Sequence, residues 1–174
     1  ARTDWERLVV ITSALAGVTN LLLDTALKSE NGGVNQVDSA HQQMSKRHAE
    51  FAAALIADVE RRRQVFVEIE DLLDDFSGLC KAIGVLGEAT PRALDAVAGL
   101  GERMSVRLLA AALEDSGIAA QPIDATRLIV TDDFHQNAHP DLDATRRNTQ
   151  LVLEPLLDER LVPVVTGFIA ATPK

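Results

Sequence analysis

Two short aliphatic runs, Leu8-Val-Val-Ile-Thr-Ser13 and Leu161-Val-Pro-Val-Val-Thr166, constrain this chain more than anything else in it. Both are rich in β-branched residues and lack polar alternation, the pattern of strands buried on both faces. Between them the apolar residues recur mostly at helical spacing. Val18 to Lys28 turns helical directly after the first run, and Asn31-Gly32-Gly33 closes that helix. Two further strand-like segments, 119–124 and 127–130, precede a helical stretch from Asp141 to Glu159, in which Pro155 predicts a kink or a boundary. Strands that alternate with helices predict a three-layer α/β/α architecture with a parallel or mostly parallel sheet.

A long amphipathic section occupies residues 38 to 84. Met44, His48, Phe51, Leu55, Ile56 and Val59 mark one helical face, and Val65, Ile69, Leu72, Leu73, Phe76, Leu79 and Ile83 mark a second. Two helices of ordinary length account for this better than one very long helix, with the break expected between Asp58 and Arg63. No glycine or proline fixes that boundary.

The next helix is the most clearly delimited. Thr90-Pro91 supplies a cap followed by proline at the first helical position, and Leu94, Val97, Ala98, Met104, Leu108, Leu109 and Ala112 form its apolar stripe. Gly99 and Gly101 interrupt it, each at a cost of about 1 kcal/mol relative to alanine, so the close approach of a neighbour or a ligand must need their missing side chains. Glu102 falls at the margin of the stripe, beside Ala98 and Ser105. Spacing alone leaves two readings: a boundary glutamate paired with Arg103 or Arg107, or a carboxylate that looks into a cleft.

Composition narrows the partners. A chain of 174 residues with 47% hydrophobic content fits one domain with a substantial core. The net charge of −9 disfavours nucleic acid and anionic membrane, both of which are held mainly by basic surfaces. Arg61-Arg62-Arg63 is the only basic run, and its acidic surroundings mark it as a solvated helix face. The single cysteine, Cys80, sits on an apolar helical pattern with Leu73, Phe76 and Ile83, as expected of a buried, unreactive thiol. Without a long apolar span or a charged-then-apolar leader pattern, a cytoplasmic placement is the simplest expectation.

Three loop segments carry polar groups suited to chemistry. Ser13-Ala-Leu-Ala-Gly17-Val-Thr19-Asn20 lies where a strand hands over to a helix, and the N–H groups of a helix start favour phosphate or carboxylate. Asp132, Asp133, His135 and His139 resemble a metal set at first sight. Asn137 and Pro140 place them on a loop, however, and the preferred reading is an acidic loop that leads into a helix capped near Asp141 or Asp143, with no metal. Thr166-Gly167-Phe168 ends the last strand, where ligand crevices of open parallel sheets lie, and is expected to meet the first turn and Glu102.

Taken in order, Ser13-Ala-Leu-Ala-Gly-Val-Thr-Asn20, Gly101-Glu-Arg-Met-Ser105, Thr131-Asp-Asp-Phe134 and Val165-Thr-Gly-Phe-Ile169 resemble the amino-acid kinase domain of the aspartokinases over nearly the whole chain. The resemblance implies the amino-acid kinase (carbamate kinase-like) fold. It implies that Thr19 and Glu102 bind aspartate, that Phe168 flanks the bound amino acid, and that Ser13, Gly17 and Asn20 belong to the active-site turn. The glycines beside Glu102 would then be clearance for a small amino acid. The implied reaction is transfer of the γ-phosphoryl group of ATP, with Mg, to the side-chain carboxylate of L-aspartate, the first step toward lysine, threonine and methionine.

The family's Lys-Phe-Gly-Gly-Thr-Ser loop and its Gly-Arg-Gly-Gly-Ser-Asp loop have no counterpart in these residues. Lys28, Lys46, Lys81 and Lys174 all lie outside glycine-rich loops. The expectation is therefore a partial amino-acid kinase domain over 1–174 with a helical section at about 38–84, carrying the substrate side of the site and inactive in isolation. Uncovered sheet edges would favour a homo-oligomer. Two alternatives stand beside this reading: a non-catalytic interaction module that uses the acidic helices, and a kinase for another small acid on the same fold.

Overall fold

The computed structural model describes residues 7–33 and 35–172, so Lys174 lies outside the described residues. In chain order the elements are β1 (Val10–Thr12), α1 (Val18–Glu30), α2 (Asn35–Leu55), α3 (Val59–Leu86), α4 (Pro91–Asp115), β2 (Ala120–Ile123), a 3-10 turn at Ala125–Arg127, α5 (Leu142–Asp158) and β3 (Val162–Thr166). The sheet has the order β1-β3-β2 with both pairings parallel. Successive side chains of β3 point to opposite faces. Val164 packs with Val106 and Ala110 of α4, and Val165 packs with Leu153 of α5 and Ile123, which makes the arrangement three-layered. Pro163 is tolerated in this central strand because it precedes the first β1 pair, Val10 with Val164, and so removes no donor from that ladder.

Two strand expectations need correction. β1 is an edge strand and not doubly buried: Ile11 is 71% exposed. The segment 127–130 is not a strand either. Asp124 accepts from the N–H of Thr126 (2.9 Å) and starts a 3-10 turn, after which Val130 makes a single bridge to Ala171. α5 begins as expected, with Asp141 accepting from the N–H groups of Asp143 and Ala144, and it runs through Pro155 to end one turn later.

α1 to α4 enclose the main core, in which Leu22, Met44, Ile69, Leu73, Phe76 and Met104 are fully buried. Each such side chain contributes about 1.5–3 kcal/mol of transfer free energy. On α3 the apolar face falls where its spacing predicts, and Cys80 lies within it. On α2 the face is partly rotated: Met44 and His48 are buried as expected, as is Ile56 just after the helix, but the stripe is completed by Val37, Ala40 and Ala52, while Phe51, Leu55 and, at the start of α3, Val59 are exposed. The break between the two helices, at residues 56–58, lies just before the expected window. It is made by a distant residue. The Asp115 carboxylate at the end of α4 accepts from the N–H groups of Ala57 (2.8 Å) and Asp58 (3.0 Å), and Asp58 in turn caps α3 through the N–H of Arg61 (2.7 Å). Within the basic run, Arg61 pairs with Glu114 and Arg63 with Glu60. No helix among the described residues is long and apolar enough to cross a membrane.

α4 begins as its sequence dictates, with Thr90 accepting from the N–H of Ala93 (3.2 Å) and Pro91 in the first turn. Its glycines are explained by neighbours within the chain. A Cβ on Gly101 would lie 2.8 Å from Ala14 Cβ and 3.4 Å from both Val18 Cγ1 and Leu22 Cδ1; one on Gly99 would lie 3.2 Å from Ile169 Cγ2. The clearance at Gly101 therefore serves the first turn, which corrects its reading as room for a ligand, while Gly99 faces Ile169 of the segment after β3.

Two predictions follow from this packing. Gly101→Ala should destabilise by about 1–2 kcal/mol, since overpacking against a rigid Ala14 exceeds the gain in helix propensity. Gly99→Ala meets Ile169 Cγ2 at the looser distance of 3.2 Å and should cost less than Gly101→Ala; urea denaturation reads both. The second concerns His48, whose Nδ1 donates to Met44 O (2.7 Å) while its buried Nε2 has no partner among the described residues. Burial lowers its pKa, so the native state keeps it neutral while the unfolded chain takes up a proton. Stability should then fall as pH drops below about 6.5, and His48→Gln should make the slope of unfolding free energy between pH 7 and 5 shallower.

Candidate functional site

The C-terminal ends of β1 and β3 lie side by side, and the segments that leave them converge on α4. Gly167 N donates to Thr12 O (2.9 Å), which ties the two strand ends together. A side chain on Gly167 would lie 3.1 Å from Ser13 Oγ, so glycine lets the serine hydroxyl sit against the backbone. On the other side, Thr166 Oγ1 accepts from Ala125 N (2.7 Å) and fixes the turn after β2 to the same edge. The next residue, Phe168, is 98% exposed and adopts a φ of 55°, a conformation that costs a non-glycine residue about 1 kcal/mol. The backbone is held there by its neighbours, not by burial of the ring.

A cleft of about 1030 Å³ opens above these strand ends. Ser13, Thr19, Glu102, Arg103 and Phe168 contribute to its walls, as do Asp95 and His135 at another part of the lining. Of the residues singled out from sequence, Ser13, Thr19, Glu102 and Phe168 thus come together from three distant segments. Gly17 and Asn20 do not join them. Gly17, at φ 81°, is the N-cap of α1 and backs onto a separate cavity of about 220 Å³ beside Arg47, while Asn20 is exposed and lines neither space. Gly17 offers no side-chain cap; the N–H of Val18 donates to Leu15 O (2.9 Å), and the start of α1 keeps the electropositive character of a helix N-terminus.

Glu102 is 5% exposed. The alternative of a boundary ion pair does not hold, because both candidate arginines are engaged elsewhere. Arg103 Nε donates to Asp124 (2.6 Å), and Arg107 pairs with Glu68 (3.1 Å). Burial raises the Glu102 carboxyl above its ordinary value, opposed by the backbone N–H groups of Glu102 itself and Ala14. Asp124 moves the other way: its burial is outweighed by the Arg103 guanidinium and by the N–H and hydroxyl of Thr126, which hold it low. The two carboxylates are therefore of different kinds. Asp124, partly buried, is satisfied by the Arg103 guanidinium, and Glu102 pairs with no cation among the described residues.

The residues 131–140 form a loop closed on itself. Asp132 accepts from the N–H groups of Phe134 (3.2 Å) and His139 (3.0 Å), and His139 Nδ1 donates to its second oxygen (3.0 Å). His135 Nδ1 instead donates to Asp95 on α4 (2.9 Å). The two histidines thus serve different carboxylates, and no group of three or more His, Cys, Asp or Glu side chains stands together among the described residues. Sequence reasoning missed Asp95 and the Arg103–Asp124 pair. Asp95 was within reach of it, since seven residues separate it from Glu102 and two helical turns restore the same face.

The entire chain, residues 1–174, matches the model of the Amino acid kinase family. It is 32% identical over 165 residues to the aspartokinase of Schizosaccharomyces pombe, covering 93% of this chain and 30% of that protein. It is 33% identical over 170 residues to the lysine-sensitive aspartokinase 3 of Escherichia coli, covering 95% of this chain and 35% of that protein. The crystal structure of E. coli aspartokinase III in complex with lysine and aspartate matches the fold with a TM-score of 0.73 at 27% identity, over 94% of this chain and 34% of that one. A second structure of the same enzyme, with aspartate and ADP, matches equally well. The chain spans about a third or less of the length of these relatives. Ordered motifs, a parallel sheet between helical layers and a cleft at the strand ends agree with that match, and the chain belongs to the amino acid kinase family, with aspartokinases as its relatives.

Proposed function

We propose that these residues supply the aspartate-binding side of an aspartate kinase. The observation that carries this reading is Glu102, a buried carboxylate that faces a cleft and pairs with no cation among the described residues. Such a group is costly to ionise in isolation and becomes favourable when a cation arrives. The ammonium group of an amino acid is that cation. Thr19, the second residue of α1, and Ser13, against the Gly167 backbone, offer hydroxyls to a carboxylate of the same molecule. Phe168 flanks it with an exposed ring.

The amino-acid kinase match supports phosphoryl transfer as the reaction class, and the relatives support aspartate as acceptor. In this reading Mg-ATP supplies the electrophilic phosphorus. This chain's own residues then bind the acceptor, hold its ammonium group at Glu102 and leave its side-chain carboxylate facing the open part of the cleft. Positioning of this kind carries much of the catalysis in phosphoryl transfer, since the reacting groups need alignment more than covalent help.

Titration calorimetry with L-aspartate and with succinate, which lacks the ammonium group, tests the assignment. Glu102→Gln should weaken aspartate binding by about tenfold or more, the loss expected of a charge-assisted hydrogen bond, and leave succinate unchanged. An equal effect on both ligands would remove the ammonium role, and stronger binding of L-glutamate than of L-aspartate would redirect the substrate assignment. The same substitution has a stability signature. Because its folded-state pKa is raised, ionised Glu102 costs stability as pH rises through that value. Glu102→Gln should therefore raise the Tm at pH 7 to 8, with the gain shrinking as pH falls toward about 4.

A further inference from the structure

We propose that Asp95 is a positioning residue: its carboxylate straps the loop 132–139 onto α4 and thereby sets one wall of the cleft that holds Glu102. The inference rests on the aspartate reading above for its ligand, and on geometry for the strap itself. Asp95 Oδ2 accepts from His135 Nδ1 (2.9 Å) and from the backbone N–H of Gln136 (3.2 Å). A carboxylate can only accept, so His135 carries its proton on Nδ1. Gln136 adopts a φ of 66°, a region that L side chains rarely occupy, at the position where its N–H points to Asp95.

The loop does not need Asp95 to keep its shape. Its neck is closed by the bridge between Thr131 and Pro140 and by the N–H of Asp132 donating to His139 O (3.1 Å), and the Asp132 side chain holds Phe134 and His139 from within. What Asp95 fixes is where this preformed unit sits. Asp95 and Glu102 lie two turns apart on one face of a continuous helix, and His135, Gln136 and Thr131 line the same cleft as Glu102. The strap and the ammonium site therefore share one rigid support. Release of the strap would let the loop swing as a body and widen the cleft without unfolding it, at the expense of a ligand that needs both walls.

Asp95 is half exposed, so its bonds are individually weak and the expected effect is moderate. The test compares Asp95→Ala and Asp95→Asn with the unsubstituted 174-residue chain, using NMR amide exchange at Gln136 and His139 and calorimetry with L-aspartate. Asp95→Ala should accelerate exchange at Gln136 but not at His139, whose N–H is held by Asp132, and should weaken aspartate binding three- to tenfold. An amide oxygen in the place of Oδ2 accepts from both His135 Nδ1 and the Gln136 N–H, so Asp95→Asn should retain both properties within twofold. Unchanged Gln136 exchange in Asp95→Ala would overturn the strap. Faster exchange with unaltered aspartate affinity would overturn its role in positioning the cleft. An unsubstituted chain that binds no aspartate, while Gln136 still responds to Asp95→Ala, would defeat the aspartate reading and uphold the strap.

Discussion

The contact between α4 and the Ala14–Leu22 segment, made possible by the absence of a side chain at Gly101, is the constraint on which most of this architecture depends. It brings the longest continuous wall of the core against the turn that leaves the sheet. Because Glu102 follows directly, the same approach buries its carboxylate beside the backbone of Ala14. Core packing and site geometry are thus set by one residue pair. A helix kept at ordinary distance from the turn would leave Glu102 solvated, with the pKa of a surface carboxylate and little reason to seek a ligand's charge.

The charged residues around the cleft divide into those satisfied within the chain and those left open. Arg103 is held by Asp124, Arg107 by Glu68, and His139 by Asp132. The first and last of these pairs help to fix the walls, and since all three are partly exposed, each adds little to stability individually. Glu102 stands apart: among the described residues it has no such partner, and its burial makes ionisation costly.

Much of this was legible in the sequence. The caps of α3, α4 and α5 are local signals, written in Asp58, Thr90 and Asp141 within three residues of the groups they satisfy. The parallel sheet followed from β-branched runs alternating with helices, and four ordered motifs identified the family. What escaped was non-local. The position of the α2–α3 break depends on Asp115, 57 and 58 residues away along the chain. The burial of β1 was overstated because periodicity cannot distinguish an edge strand from a central one. The outward turn of Phe51 and Leu55 reflects how α2 rotates against its neighbours, which its own spacing does not encode. In the cleft, Glu102 could be named and its surroundings could not, since Asp95 and the loop meet only in three dimensions.

The grip of Asp115 on the α2–α3 junction has a mechanical meaning. From Glu102 to Asp115 α4 is uninterrupted, a rod of about 20 Å at the rise of an α-helix. One end presents the carboxylate to the cleft, and the other end is bolted to the corner where the outer helices meet. With no hinge between them, a displacement of that corner along the rod is a displacement of the carboxylate, and the helical pair and the cleft form one lever.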